Sequence, residues 1–300
     1  MKFIQRITLM SCLLFLISAC DPGVHFPSKE VTTPKSYLGY QSKSISVNGL
    51  NFHYVEQGEG QLMLFLHGFP NYSEFWHPLL PTLSQKYHVV APDNRGYGFT
   101  DKPENVDDYR LEKLVEDVRH LILALAPNKK AILVGHDWGG ALAWTTAQQY
   151  PELVDKLIVA DIAPKNYPPH HHQILEALNA VDFSKIALRT EVDAVLKEYI
   201  EEEGVRQFLL KNVYRKTKDA LDFRFNLESL TENNNEVGAP LPAFTEYEGP
   251  VLFLKGANSG YISEDDISLI KAHFSNAEVK EISKAGHWLH AENPVEFLNE

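Results

Sequence analysis

Short apolar runs alternate with helical patterns along most of this chain, and that alternation limits the fold more than any other feature. The run at 62–66 is continuously apolar, which is typical of a strand buried on both faces of a parallel sheet. Residues 111–125 instead carry apolar side chains at helical spacing, in one stripe. Further strands are predicted at 88–91, 131–134, 157–160, 251–254 and 279–282. Repeated strand–helix alternation predicts a mostly parallel sheet with helices on both faces.

The alternation starts with a hairpin and is interrupted once. Two strand patterns flank the pair Asn48-Gly49, which favours a tight hairpin turn. After the sixth predicted strand, a long stretch has apolar residues at helical spacing and no buried-strand run. A length of 300 residues suits one domain with an insertion. We therefore predict an eight-stranded α/β core with an inserted helical cap. The core is predicted at 41–162 and 245–300, and the cap at 163–244.

The first twenty residues have the shape of a secretory signal. Two positive residues precede a short apolar run, and small residues then lead to Cys20. This ending resembles the bacterial lipobox, in which the cysteine is lipidated and becomes the new N-terminus. We predict a signal peptide at 1–19, a tether at 20–40 and a protein exported to the periplasmic side of the envelope, held at the membrane by lipid alone. An ordinary cleaved signal with a free Cys20 is the alternative.

Charge and composition exclude several partners. The formal net charge is −12 and no basic run interrupts it, which argues against a nucleic-acid partner. Loss of Cys12 with the signal and lipidation of Cys20 would leave no thiol for a disulfide or a metal site. The adjacent histidines at 170–172 cannot all face one ion, so they indicate a solvated stretch. No phosphate-binding glycine loop is present, and we expect no cofactor and no metal.

The motif with the most chemical content is Gly-His-Asp-Trp-Gly-Gly at 135–140. It follows a predicted strand and precedes a predicted helix, which is the setting of a nucleophile elbow. The small neighbours allow a tight turn that raises the central side chain above the sheet edge, where open α/β sheets bind ligands. The central residue here is Asp137. A plain helix-capping aspartate is the alternative, and it does not explain the glycines on both sides.

An aspartate in this position selects the reaction. A carboxylate is already ionised near neutral pH and needs no base to activate it. It can attack saturated carbon, displacing a halide or opening an epoxide, and it then becomes an ester. A histidine is thereby available to activate the water that cleaves this ester. His287, just after the last predicted strand, is the histidine predicted for that role.

The other parts of such a site are also predicted. His-Gly-Phe-Pro at 67–70 follows the third strand, and we assign the oxyanion hole to the backbone N–H groups of Phe69 and Trp138. The loop after the strand at 251–254 contains no acid. We therefore assign the third member of the triad to Asp161, at the end of the preceding strand, with a supporting hydrogen bond from Ser259. A cap-hinge turn is the alternative role for Asp161.

Two family resemblances divide the chain. Residues from about 50 to 160 resemble the epoxide hydrolases and haloalkane dehalogenases of the α/β-hydrolase fold. The matching segments are HGFP (67–70), DNRGYG (93–98) and GHDWGG (135–140). Residues from about 160 onward resemble a group of small serine esterases, in which the acid sits at the position of Asp161. The matching segments are DIAP (161–164), FRFNL (223–227), GANSGY (256–261) and GHWLH (286–290).

The first resemblance implies a hydrolase acting through a covalent alkyl-aspartyl ester, with epoxide hydrolysis to a diol as the leading function. Cap tyrosines donate the proton in epoxide hydrolases, and the positions available here are Tyr247, Tyr167 and Tyr199. A haloalkane or haloacid dehalogenase ranks second, because Phe69 and a cap without tryptophan leave the halide with one donor, Trp138. A catalytically idle binding protein of the same fold is the third alternative. The expected ligand is a small apolar substrate.

Overall fold

The computed structural model describes residues 36–37, 39–167, 172–233, 241 and 245–300. The predicted signal peptide, Cys20 and the tether up to residue 35 lie outside the described residues, as do two of the histidines at 170–172. Within the described part of the chain, no helix combines the length and apolarity needed to cross a membrane.

The main sheet contains nine strands in the spatial order β1-β2-β3-β5-β4-β6-β7-β10-β11. The strands and their bounds are β1 (Ser36–Tyr37), β2 (Tyr40–Val47), β3 (Leu50–Gln57), β4 (Gln61–Leu66), β5 (Tyr87–Pro92), β6 (Ala131–His136), β7 (Val154–Ala160), β8 (Val213–Thr217), β9 (Ala220–Phe223), β10 (Val251–Gly256) and β11 (Ala277–Ile282). From β5 to β11 all neighbouring strands pair in parallel, whereas the first three are antiparallel. The mostly parallel α/β sheet predicted from the sequence is confirmed.

The edge of the sheet differs from the prediction in one detail. Strand β1 is an additional, two-residue strand that pairs with the start of β2, Tyr37 opposite Tyr40. Gly39, at φ +86, makes the tight turn that folds this segment back on the sheet. The sheet therefore begins inside the segment 20–40 that is predicted as a tether, because two residues are too few to show a strand pattern.

Helices cover both faces of the sheet. Their bounds are α1 (Leu80–Leu83), α2 (Leu111–Leu125), α3 (Trp138–Gln149), α4 (His172–Asn179), α5 (Arg189–Lys197), α6 (Glu203–Leu210), α7 (Leu227–Glu232), α8 (Asp266–His273), α9 (Leu289–Glu292) and α10 (Pro294–Asn299). Along β4 the side chains alternate between the two core clusters, Leu64 on one face and Phe65 on the other. The stripe predicted on α2 is buried against the first of these clusters.

The insertion between β7 and β10 carries α4 to α7, as the helical spacing predicts, and also an antiparallel hairpin of β8 and β9. A purely helical cap is therefore wrong. The sequence does not predict this hairpin because β8 lacks a continuous apolar run. Val213 is its one fully buried residue, and the middle of the strand is exposed. The cap has its own hydrophobic cluster, which Tyr97 of the core joins.

A buried carboxylate holds together the loops around the Asp137 turn. Asp93, at the end of β5, accepts hydrogen bonds from His53 Nδ1 (2.7 Å), Ser73 N (2.8 Å) and Phe99 N (2.8 Å). Burial alone would raise the pKa of Asp93, but His53 and these donors outweigh it and hold the pKa far below its usual range. One side chain thus ties β3 to the loops after β4 and β5.

We expect Asp93→Asn to lower the free energy of unfolding by about 2–4 kcal/mol, because the amide must turn its NH2 group toward one of the two backbone N–H groups, Ser73 N or Phe99 N, and the buried charge is lost. Urea unfolding followed by circular dichroism measures the change. The exposed Asp219→Asn is the matched control and should differ from wild type by less than about 0.5 kcal/mol. Equal midpoints for the two variants would contradict this role for Asp93.

Candidate active site

The site is built on the turn between β6 and α3. Asp137 occupies this turn with φ 53 and ψ −129, a left-handed conformation that is costly for any residue except glycine. The turn is tight on both sides: a Cβ on Gly135 would lie 2.2 Å from the carbonyl oxygen of Gly139, and one on Gly139 would lie 2.1 Å from that of Leu66. These contacts force the Asp137 carboxylate to stand above the carboxyl ends of the strands.

His287 stands between two carboxylates. Its Nε2 lies 2.9 Å from Asp137 Oδ2, and its Nδ1 lies 2.8 Å from Asp161 Oδ2. The histidine follows β11 and Asp161 follows β7, so both reach the same sheet edge as the elbow. The structure therefore brings together the nucleophile, histidine and acid assigned from the sequence.

Asp161 is fully buried and firmly held. Its backbone is also in the left-handed region, at φ 53, and its N–H donates to Leu254 O at 2.8 Å. Its carboxylate accepts from Gly256 N at 3.0 Å and from the hydroxyl of Ser259. Ser259 thus lies where it was predicted to lie. Gly256 N binds Oδ1, whereas Ser259 and the imidazole share Oδ2, so the carboxylate is fixed with Oδ2 directed at His287.

The two carboxylates determine the charge of the histidine. Burial alone would lower the pKa of His287, but the hydrogen bonds and charges of Asp137 and Asp161 outweigh it and raise the pKa to about 9. The resting site therefore holds an imidazolium between two carboxylates at neutral pH. The Asp137 side chain is 4% exposed, so little solvent weakens this pairing.

The predicted oxyanion loop packs directly against the nucleophile. A Cβ on Gly68 would lie 2.6 Å from the Cβ of Asp137, so Phe69 begins right beside the carboxylate. Trp138 N donates to Asp137 Oδ1. The loop is pinned by Asn94, whose N donates to His67 Nε2 at 2.9 Å and whose Nδ2 donates to His67 O at 3.0 Å. Burial lowers the pKa of His67 to about 4, so this ring stays neutral.

The three tyrosines predicted as proton donors lie at different places in the structure. Tyr247 donates to Val154 O at 3.3 Å, at the opposite end of β7 from Asp161. Seven residues of strand, roughly 20 Å, separate it from the site, so its predicted role is wrong. Tyr199 packs against the cap cluster. The hydroxyl of Tyr167 donates to Tyr261 O at 2.7 Å and accepts from Ala163 N at 2.8 Å, which makes it a brace behind the triad.

Two residues at the site escaped the sequence analysis. The ring of Tyr261 stacks on that of His287, with centroids 4.0 Å apart and an interplanar angle of 17°. His136 Nε2 donates to His287 O at 2.8 Å, and burial lowers the pKa of His136 to about 4, so it donates as a neutral ring. Both lie in segments that were singled out, 135–140 and 256–261, but neither residue type identifies such a role by itself.

The cap closes the site with aromatic pairs. Phe225 of the cap contacts Phe69 of the oxyanion loop at 6.2 Å between centroids, and Phe208 contacts Trp288 beside the catalytic histidine at 4.7 Å. A cavity of about 20 Å³ adjoins Trp138 where core and cap meet, enough for roughly one water molecule. Across the described ranges, no cluster of three His, Cys, Asp or Glu side chains has metal-binding geometry.

Comparisons with known proteins agree with this architecture. A family model of the alpha/beta hydrolase fold matches residues 61–195. The sn-1-specific diacylglycerol lipase ABHD11 of Danio rerio is 33% identical over 252 residues, covering 81% of this chain and 78% of the lipase. A solved marine microorganism esterase matches with a TM-score of 0.77 at 33% identity, over 83% of this chain and 97% of the esterase. The chain therefore belongs to the alpha/beta hydrolase fold family.

A further relative is a different kind of hydrolase. Epoxide hydrolase 1 of Caenorhabditis elegans is 42% identical over 154 residues, which is 51% of this chain and 38% of that enzyme. The chain is thus a hydrolase-fold protein similar to epoxide hydrolases over about half its length, and to a lipase and an esterase over most of it.

The glycine contacts at the elbow predict a sharp contrast between two Gly→Ala substitutions. Gly139→Ala places a methyl group against the Leu66 backbone and should lower the free energy of unfolding by about 2–4 kcal/mol. Gly204→Ala is the control: it meets nothing within 4 Å at the start of α6 and should be neutral or stabilise by up to about 1 kcal/mol. Thermal unfolding of both proteins measures this, and similar losses would contradict the packing described for the elbow.

The raised pKa of His287 predicts a pH dependence of stability. Because the folded pKa of about 9 lies above the ordinary 6.5, the stabilisation is complete below about pH 6.5 and is lost as the pH rises through 9. In Asp137→Asn one carboxylate is gone and the pKa of His287 falls. We expect wild type to lose on the order of 1–2 kcal/mol more than this variant between about pH 6.5 and 9.5. Urea unfolding across that range tests this, and parallel curves would contradict it.

Proposed function

We propose that this protein is a hydrolase that forms a covalent ester on Asp137 and that epoxides are its substrate class. The observation that carries the proposal is a buried carboxylate at the elbow, within hydrogen-bond distance of a histidine whose other nitrogen faces a second carboxylate. In this arrangement the nucleophile is already an anion. No base is needed to activate it, so the histidine serves the second step.

In the first step, a carboxylate oxygen of Asp137 attacks an epoxide carbon, and the carbon–oxygen bond of the ring breaks. The released oxygen needs a proton. Tyr97 is our candidate donor, because it is buried and because burial and the charge of Asp137 raise its pKa well above the usual value. Its hydroxyl therefore keeps its proton until an alkoxide develops. It replaces Tyr247 in this role.

The second step follows from the charge balance of the site. Once Asp137 is an ester, it carries no negative charge, and His287 loses one of the two carboxylates that raise its pKa. The imidazolium then releases its proton, which restores the hydroxyl of Tyr97, and becomes a base, while Asp161 keeps the ring in place through Nδ1. Neutral His287 takes a proton from water, and the resulting hydroxide adds to the ester carbonyl of Asp137.

The tetrahedral intermediate needs donors for its negative oxygen. Trp138 N already points at Asp137 Oδ1, and the N–H of Phe69 follows Gly68, which packs on the nucleophile. In this chemistry the oxyanion forms on the enzyme's own side chain, so contacts to Asp137 itself are the relevant ones. Collapse of the intermediate breaks the ester bond, the leaving oxygen takes up the proton of the added hydroxyl group, and the diol departs as the carboxylate of Asp137 is restored.

An ester substrate is the main competing class, because the lipase and esterase relatives match most of the chain. A carboxylate that attacks an ester carbonyl gives an anhydride, with no gain in stability over the starting ester. Attack on the saturated carbon of an epoxide instead relieves ring strain and leaves an ordinary ester. The match to an epoxide hydrolase includes about half of this chain and supports the same choice.

The decisive experiment is a single turnover with excess enzyme in water enriched in oxygen-18. We expect the first diol formed from an epoxide to carry ordinary oxygen, because that oxygen comes from Asp137, and the label to appear in the peptide containing Asp137. The panel includes aryl and alkyl epoxides, haloalkanes and short esters. Mass spectrometry of product and peptide measures both sites. Label passing directly into the first product would contradict the covalent mechanism.

Two variants serve as controls in that experiment. Asp137→Asn should give no turnover above background. His287→Gln should accumulate the ester, and its intact mass identifies the substrate class: an epoxide adds its whole mass, whereas a haloalkane adds its mass less that of the hydrogen halide. Turnover of esters alone, with no adduct from epoxides or haloalkanes, would overturn the proposed function.

A further inference from the structure

The parallel stack of Tyr261 on His287 is the closest ring contact of the catalytic histidine. The centroids are 4.0 Å apart and the planes differ by 17°. The two other rings beside the histidine are more inclined: His136 at 4.5 Å and 46°, and Trp288 at 6.5 Å and 53°. Tyr261 therefore lies flat against the face of the imidazole.

Tyr261 is held by the same residues that hold the catalytic acid. Its backbone N–H donates to Ser259 Oγ at 3.3 Å, and the Ser259 hydroxyl donates to Asp161. Its backbone carbonyl accepts from the hydroxyl of Tyr167, which in turn accepts from Ala163 N, two residues after Asp161. The tyrosine ring and the acid thus have a fixed relative position, and the imidazole lies against both.

Two hydrogen bonds do not fully orient an imidazole. Nδ1 and Nε2 face different carboxylates, so their bonds define a line through the ring but not its rotation about that line. A flat surface at van der Waals distance restrains that rotation. We propose that Tyr261 is a positioning residue that holds the plane of His287 between Asp137 and Asp161 by stacking against it.

This role becomes more important in the second step of the proposed function, on which this part of the inference rests. When Asp137 is an ester, it no longer anchors Nε2, and the ring keeps only the bond from Nδ1 to Asp161. The stack with Tyr261 does not depend on the charge of Asp137. It therefore keeps the lone pair of Nε2 aimed at the attacking water after the first anchor is lost.

The stack also favours the charged ring, because the face of a tyrosine attracts a cation. The groups that face His287 are the carboxylates of Asp137 and Asp161, the ring of His136 and, at longer range, His290. Burial keeps both of these histidines neutral near pH 7, since it lowers the pKa of each. Removal of the aromatic ring at 261 should therefore change the titration of His287 without changing the charge of its other neighbours.

The test compares Tyr261→Phe, which keeps the ring, with Tyr261→Leu and Tyr261→Met, which keep an apolar side chain without it. Histidine NMR titration of the full resting protein measures the pKa of His287. We expect the leucine and methionine variants to lower it by about 0.5–1 unit and the phenylalanine variant to stay within about 0.3 unit of wild type. An unshifted pKa in both ring-free variants overturns the proposal, and so does an equal shift in the phenylalanine variant, since that assigns the effect to the hydroxyl.

A second measurement distinguishes a positioning role of Tyr261 from a general effect of the substitution on the structure. In single turnovers, Tyr261→Leu should slow hydrolysis of the Asp137 ester roughly tenfold while its formation stays within about twofold of wild type. Rescue of ester hydrolysis in Tyr261→Phe is expected, and an equal loss in both steps overturns the proposal. If no substrate forms an ester with wild type, the proposed function fails, whereas the NMR titration still decides whether Tyr261 controls the histidine.

Discussion

The turn at Asp137 is the constraint on which the site depends. A left-handed aspartate between Gly135, which touches the backbone of α3, and Gly139, which touches the backbone of β4, has almost no freedom to move. The histidine and the oxyanion loop reach the carboxylate at hydrogen-bond or contact distance, and the second acid reaches the histidine. The packing of α3 against β6 and β7 supplies the energy that keeps this costly backbone in place.

Much of this site can be predicted from the sequence because of one geometric rule. Asp137, Asp161 and His287 each follow a predicted strand, and the carboxyl ends of parallel strands meet at one sheet edge. Tyr247 was misplaced because chain distance does not tell which end of a neighbouring strand a side chain meets. The hairpin β8–β9 was missed because partly exposed strands lack a continuous apolar run. Tyr261 was missed because ring stacking leaves no periodic pattern.

The two buried acids at the site have different duties because their surroundings differ. Asp161 accepts hydrogen bonds from Gly256, Ser259 and His287, so the structure needs its charge whatever the state of Asp137. Asp137 stands at the elbow and contacts Trp138 N and His287, and in the proposed cycle its charge is lost on ester formation and regained on hydrolysis. In the proposed cycle, the pKa of the imidazole between the two acids therefore changes with the charge of Asp137. The cycle needs no movement of the histidine to change its role.

The aromatic pairs between cap and core have a consequence for access. Phe69 belongs to the predicted oxyanion loop and Trp288 follows His287. Opening of the cap would therefore break the ring contacts that hold both of these segments. Pairs of this kind contribute about 0.5–1.5 kcal/mol each. The cap is also held by the hydrogen bond from Asn212 Nδ2 to Pro70 O at 2.8 Å and by the packing of Tyr97 in the cap cluster. Closed molecules, in which the site is fully assembled, therefore predominate, and entry of a substrate would depend on the rate at which the cap opens.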